Sequence, residues 1–96
     1  SPILKGIDGK AKMGKSLNNY IAVFDTPKDK YGKTMSIPDE LIINYFNYAT
    51  KVSPDEIEEI EKQLKEDTVK PKIIKQRLAR EIVKMYHGEE EAWKAE

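Results

Sequence analysis

The sequence predicts an all-α protein, a small bundle of four or five helices preceded by an irregular, lysine-rich arm of about 25 residues. Two observations predict it. Four of the five prolines, Pro27, Pro38, Pro54 and Pro71, stand where helices would begin; proline suits the first helical turn, whose N–H groups have no partner within the helix. From Leu41 onward, apolar residues recur every three or four positions, the period of one helix face. The first 25 residues lack that rhythm, and Ile21-Ala22-Val23-Phe24 is their only compact apolar run.

Each helix has its own signals. Thr26-Pro27 supplies an N-cap and a first-turn proline for a short helix to about Lys33. Pro38, after Ser36-Ile37, opens a second, with Leu41, Ile42, Tyr45, Phe46 and Ala49 as its apolar stripe. Ser53-Pro54-Asp55-Glu56 has the form of a capping box, with acids where the helix dipole favours them. Ile57, Ile60 and Leu64 then line one face until about Glu66. Pro71 opens the longest helix, with Ile74, Leu78, Ile82 and Met85 expected inward and Gly88 expected to end it as a left-handed C-cap. Ala92 and Trp93 would anchor a last short turn, with Trp93 capping the core. Tyr31, Tyr45, Tyr48 and Tyr86 are expected to be half-buried with wet hydroxyls. His87, just before Gly88, would if charged suit the negative end of the dipole.

At 96 residues the chain is at most one small domain with a modest core. Lys plus Arg and Asp plus Glu both number 17, so overall charge does not single out a nucleic-acid binder. The distribution is uneven: residues 1 to 52 hold eight basic and five acidic residues, and residues 53 to 96 hold nine and twelve. Most of these charges read as ordinary solvated helix surface. The absence of cysteine excludes a disulfide framework and a Cys-based zinc site. No apolar run approaches the roughly 20 residues of a membrane span, and one histidine cannot build a metal site.

Chemistry concentrates in the arm. Gly9 to Ser16 reads G-K-A-K-M-G-K-S, which fits the G-x-x-x-x-G-K-[ST] pattern of a P-loop. Its surroundings fit poorly. A P-loop needs a buried strand before the glycines and a helix straight after the serine. Ser1 to Ile7 contains both a proline and a glycine, and Asn18-Asn19 favour a turn where the helix should be gaining strength. Ile21 to Asp25 follows too closely for a helical crossover.

Read from Lys12, the same residues give K-M-G-K-S, which resembles the K-M-S-K-S loop of class I aminoacyl-tRNA synthetases. Further landmarks accompany it in order: Pro2-Ile3-Leu4, Gly6-Ile7-Asp8-Gly9, Asp25-Thr26-Pro27, Tyr31 to Leu41, Leu78 to Val83, and His87-Gly88-Glu89-Glu90. Together they resemble bacterial tyrosyl-tRNA synthetases over almost the whole chain. The sequence departs from the familiar motif at Gly14, where serine is common, and at Asn18, where glycine often follows the leucine. Neither departure removes a lysine, and glycine at the third position leaves the loop more backbone freedom.

The resemblance implies that residues 1–25 are the end of a catalytic domain and residues 26–96 a helical anticodon-binding domain. It implies a parent ligase that activates tyrosine with ATP and Mg²⁺ and transfers it to tRNA(Tyr). Lys12 and Lys15 would be the catalytic pair, with Met13, Gly14 and Ser16 completing the ATP-binding loop. Charge builds on the leaving pyrophosphate during activation, so ammonium groups brought there lower the barrier. A loop that closes only around the transition state puts its binding energy into rate. The H-I-G-H motif and a tyrosine pocket are absent, so the chain is expected to be a fragment without synthetase activity of its own. The family's homodimer forms through the catalytic domain, so the fragment is expected to be monomeric, with residues 1 to about 20 mobile. The resemblance also implies a cytoplasmic location, and the family often carries a further RNA-binding domain after the helical one.

On the helix after Pro71, Arg77, Arg80 and Lys84 share a face roughly opposite Ile74, Leu78, Ile82 and Met85. Such a basic stripe can hold RNA phosphates, and the resemblance implies an anticodon-arm contact there. Glu81, four residues after Arg77, equally allows ordinary surface pairing. Two other readings stay open: a free-standing helical RNA-binding module without a catalytic parent, and a small P-loop nucleotide-binding protein. Lys5 and Lys10, outside the motif, read as solvated charges.

Overall fold

The structure, a computed structural model, describes residues 25 to 95. These form five α-helices, with no strand among the described residues: α1 (Pro27–Met35), α2 (Ile42–Ala49), α3 (Pro54–Glu66), α4 (Pro71–His87) and α5 (Glu89–Ala95). One 3₁₀ turn, Asp39–Leu41, leads into α2. The all-α expectation therefore holds for the described part of the chain.

The helix starts follow the local chemistry. Thr26 caps α1, its hydroxyl accepting from the Asp29 N–H at 3.1 Å, and α1 runs two residues beyond the expected end. Ser53 caps α3 by accepting from the Glu56 N–H at 3.3 Å. The ends vary more. The α3 helix stops at Asp67, which takes the left-handed conformation at φ 54°, tolerated by aspartate better than by most residues. Gly88 ends α4 with φ 94° and ψ 166°. The positive φ was expected, but the residue lies in the extended mirror region rather than the left-handed helical one. This redirects the chain straight into α5.

The α4 helix organises the bundle: α1, α2 and α5 all pack on it, and α3 packs on α2. The core joins Ile37, Leu41, Ile42, Tyr45, Phe46 and Ala49 to Ile57 and Ile60 of α3 and to Ile74, Leu78 and Ile82 of α4. A fully buried side chain of this size contributes about 1.5–3 kcal/mol by leaving water. Ala79 and Val83 are fully buried too, because α4 is covered on more than one flank. Lys75, in the second turn of α4, pairs with Asp39 at 2.8 Å and ties the helix to the 3₁₀ turn.

Four sequence expectations need correction. Met85 is 36% exposed; the buried row of α4 turns toward Ala79 and Val83 instead. Trp93 is 63% exposed, because Ala92 takes the inward position and the next residue points about 100° away. Tyr48 and Tyr86 are also exposed, whereas Tyr45 is buried outright.

Candidate functional site

Lys12, Met13, Gly14, Lys15 and Ser16, together with the expected mobility of the arm, lie outside the described residues. The described residues hold two features of chemical interest: the outer face of α4 and a polar cluster at the root of the arm.

On the outer face, the structure separates the roles of the three predicted cations. Arg77 does not turn to Glu81 of its own helix. Its guanidinium donates to a Glu56 carboxylate oxygen at 2.6 Å, joining α4 to the first turn of α3. This pair is largely exposed and contributes little, about 0–1 kcal/mol. Arg80 lies over the indole of Trp93, 5.6 Å from its centroid, a cation–π contact that gives the exposed tryptophan a polar neighbour. Lys84 is exposed.

Two depressions flank Lys84. The larger, about 360 Å³, is lined by Lys51, Val52, Glu56, Glu81, Lys84 and Met85. The smaller, about 100 Å³, lies between Arg80, Glu81, Lys84, Glu89, Ala92 and Trp93. Glu81 and Lys84 line both of them, so charges of both signs border each depression on this face of α4. Lys51 and Trp93 join this face only through the fold. No spacing rule relates the α2–α3 connection, or the last helix, to Arg80.

At the root of the arm, Lys30 is fully buried. Its ammonium lies 2.9 Å from His87 Nε2 and 4.3 Å from the centroid of the Tyr86 ring. An ammonium has no acceptor, so charged Lys30 donates and the imidazole accepts, leaving the ring proton on Nδ1. His87 thus accepts from a neighbouring helix, besides standing at the end of α4. Burial pulls the Lys30 ammonium below the ordinary lysine value, and the Asp25 carboxylate pulls it back in part. Asp25 itself accepts from Lys33 at 2.9 Å. Sequence reasoning missed this cluster because α1 has no apolar stripe to mark which of its lysines turns inward.

Among the described residues no group of three or more His, Cys, Asp or Glu is placed to hold a metal ion. No helix among them is long and apolar enough to cross a membrane.

Comparison with known proteins gives this geometry its context. The family of class I tRNA synthetases (W and Y) matches residues 1–96. Tyrosine–tRNA ligase 2 of Clostridium acetobutylicum is 57% identical over 95 residues, covering 99% of this chain and 24% of that protein. The tyrosine–tRNA ligase of Thermotoga maritima is 53% identical over the same share of both chains. That of Moorella thermoacetica is 50% identical, over 99% of this chain and 23% of its own. The chain thus spans about a quarter of the length of these curated relatives. With a family match that begins at the first residue and ends at the last, the chain belongs to the class I tRNA synthetases (W and Y).

Proposed function

We propose that this chain is part of a tyrosine–tRNA ligase, supplying the ATP-phosphate loop and an anticodon-arm contact. The observation that carries the reading is 57% identity to a tyrosine–tRNA ligase over 95 residues, a match that takes in the lysine loop as well as the helices. The parent enzyme joins tyrosine to ATP as tyrosyl-adenylate and transfers it to tRNA(Tyr). ATP with Mg²⁺ enters as a substrate, and the parent works in the cytoplasm as a homodimer. Residues 1–25 end its catalytic domain, and residues 26–96 form its helical anticodon-binding domain.

In this reading Lys12 and Lys15 meet the charge that develops on the departing pyrophosphate, and Met13, Gly14 and Ser16 shape the loop that carries them. The P-loop alternative gives no account of a family match that runs on through residue 96. The test is tyrosine-dependent ATP–pyrophosphate exchange by the full-length protein containing this chain. Lys15→Ala should lower kcat by roughly 100-fold or more with little change in KM for tyrosine. An unchanged kcat would remove the loop from the mechanism. The isolated chain should show no exchange, and activity from it would refute its standing as a part.

Support for an RNA contact comes from Lys84 lining two neighbouring depressions, one with Lys51 and the other with Arg80. Titration of the chain with the anticodon stem-loop at several salt concentrations tests it. Lys84→Ala should reduce the salt slope by about 1 if that ammonium holds a phosphate. Arg77→Ala should change it less, since Glu56 already occupies that guanidinium. No saturable binding would support a helical unit that only scaffolds the loop.

A further inference from the structure

We infer that Trp93 is a stacking platform for an unpaired RNA base, with Lys84 placed to meet the phosphate beside that base. The inference deepens the RNA contact proposed above and rests on that reading. It starts from exposure. At 63%, Trp93 is the most exposed of the large hydrophobic side chains described, while its neighbour Ala92 is buried at 4%. The last helix therefore docks on the bundle through Ala92 and holds the indole out in water.

The indole is also given a direction. Arg80 of α4 lies over its ring, 5.6 Å from the centroid, a cation–π contact that joins the ring on α5 to the outer face of α4. A guanidinium thus meets part of the ring, and the exposed remainder is left for a second flat partner.

The surroundings decide the kind of partner. Apart from Ala92 and the indole itself, the small depression here is lined by charged groups: Arg80, Glu81, Lys84 and Glu89. A dry protein contact over them would have to strip water from every one of these charges. An unpaired base suits them better. Its flat face stacks on an indole or guanidinium plane, its N–H groups suit the Glu81 or Glu89 carboxylates, and its own phosphate suits the Lys84 ammonium. A paired stem gains less, because its base faces are already covered by neighbouring pairs. The acidic run beside the site is partly offset, since Lys94 pairs with Glu90 at 3.4 Å and Glu91 at 3.7 Å.

The test titrates the full-length protein containing this chain with the anticodon stem-loop, and separately with a fully paired duplex of equal phosphate number, at several salt concentrations. Trp93→Leu keeps apolar bulk and removes the aromatic face, whereas Trp93→Tyr keeps a face. Trp93→Leu should weaken stem-loop binding roughly 5- to 150-fold, the range for one stacked base. The salt slope should not change, because stacking releases no counterions. Duplex affinity and helical circular dichroism should stay at wild-type values, and Trp93→Tyr should recover most of the stem-loop affinity. Stem-loop binding by Trp93→Leu that equals wild type overturns the inference and leaves the indole to a protein partner. Equal losses on stem-loop and duplex, or a changed salt slope, also overturn it, because the residue would then serve the backbone contact or the fold. If the wild-type protein itself does not bind the stem-loop, the RNA-contact reading fails first and takes this inference with it.

Discussion

Replacing Gly88 by alanine separates a backbone cost from any packing cost. An added Cβ at Gly88 would meet no atom within 4 Å, so a methyl group fits in space. The obstacle is conformational: φ 94° with ψ 166° is territory that essentially only glycine enters. Holding alanine there costs about 1–3 kcal/mol, and in a domain of this size each kcal/mol lowers Tm by roughly 4–8 °C. Gly32 provides the control. It sits inside α1 and an added Cβ there also meets nothing within 4 Å, but alanine is the better helix former by about 0.5–1 kcal/mol. The same chemical change should therefore destabilise at residue 88 and stabilise at residue 32. Urea unfolding followed by circular dichroism measures both. A loss below about 0.5 kcal/mol for Gly88→Ala would refute the argument from φ, as would equal effects at the two sites.

Three further outcomes follow from the packing and charges. Leu78→Ala should cost about 2–5 kcal/mol in urea unfolding, and Met85→Ala clearly less, because Leu78 is fully buried and Met85 is 36% exposed; equal costs would contradict the assigned faces of α4. A double-mutant cycle on Arg77 and Glu56 should give a coupling of about 0.2–1 kcal/mol that shrinks in high salt; a salt-independent value would mean a different interaction. The third concerns Lys30, whose charged form burial disfavours. Between its lowered folded value and the ordinary lysine value of 10.5, the unfolded chain binds more protons, so this lysine makes stability rise with pH. Compared with Lys30→Met, wild type should gain relative stability as pH rises through that window. Taking the difference removes the titration of groups common to both proteins, leaving the neighbours Asp25, Lys33, Tyr86 and His87 to be checked by NMR. A difference that stays flat from neutral pH upward would rule out the desolvation argument.

What the sequence made legible was whatever depends on neighbours along the chain. The Thr26 and Ser53 caps, the helix starts at Pro27, Pro54 and Pro71 and the stripe from Leu41 to Ala49 emerged as read, because each is decided within one or two helical turns; Pro38 instead precedes a 3₁₀ turn, and α2 begins at Ile42. What it hid was set by other helices. Met85 looked inward by period alone, but the neighbours of α4 leave that side to solvent. The sequence suggests Trp93 as a cap on the core, yet the smaller Ala92 fills the contact and Trp93 stays outside beside Arg80. Lys30 is the sharpest case, since nothing in Lys28-Asp29-Lys30-Tyr31 separates the buried lysine from its solvated neighbour. On the candidate RNA face, the stripe of Arg77, Arg80 and Lys84 was visible from helical spacing. That Arg77 answers to Glu56, and that Lys51 lines a depression with Lys84, required the third dimension.

The placement of Trp93 also makes the molecule its own optical probe. It is the sole tryptophan in the chain, it faces water, and it lines a small depression with Arg80 and Lys84. Its fluorescence therefore reports on that face alone, without an attached dye. A ligand that excludes water from the indole or draws Arg80 away from it will shift the emission.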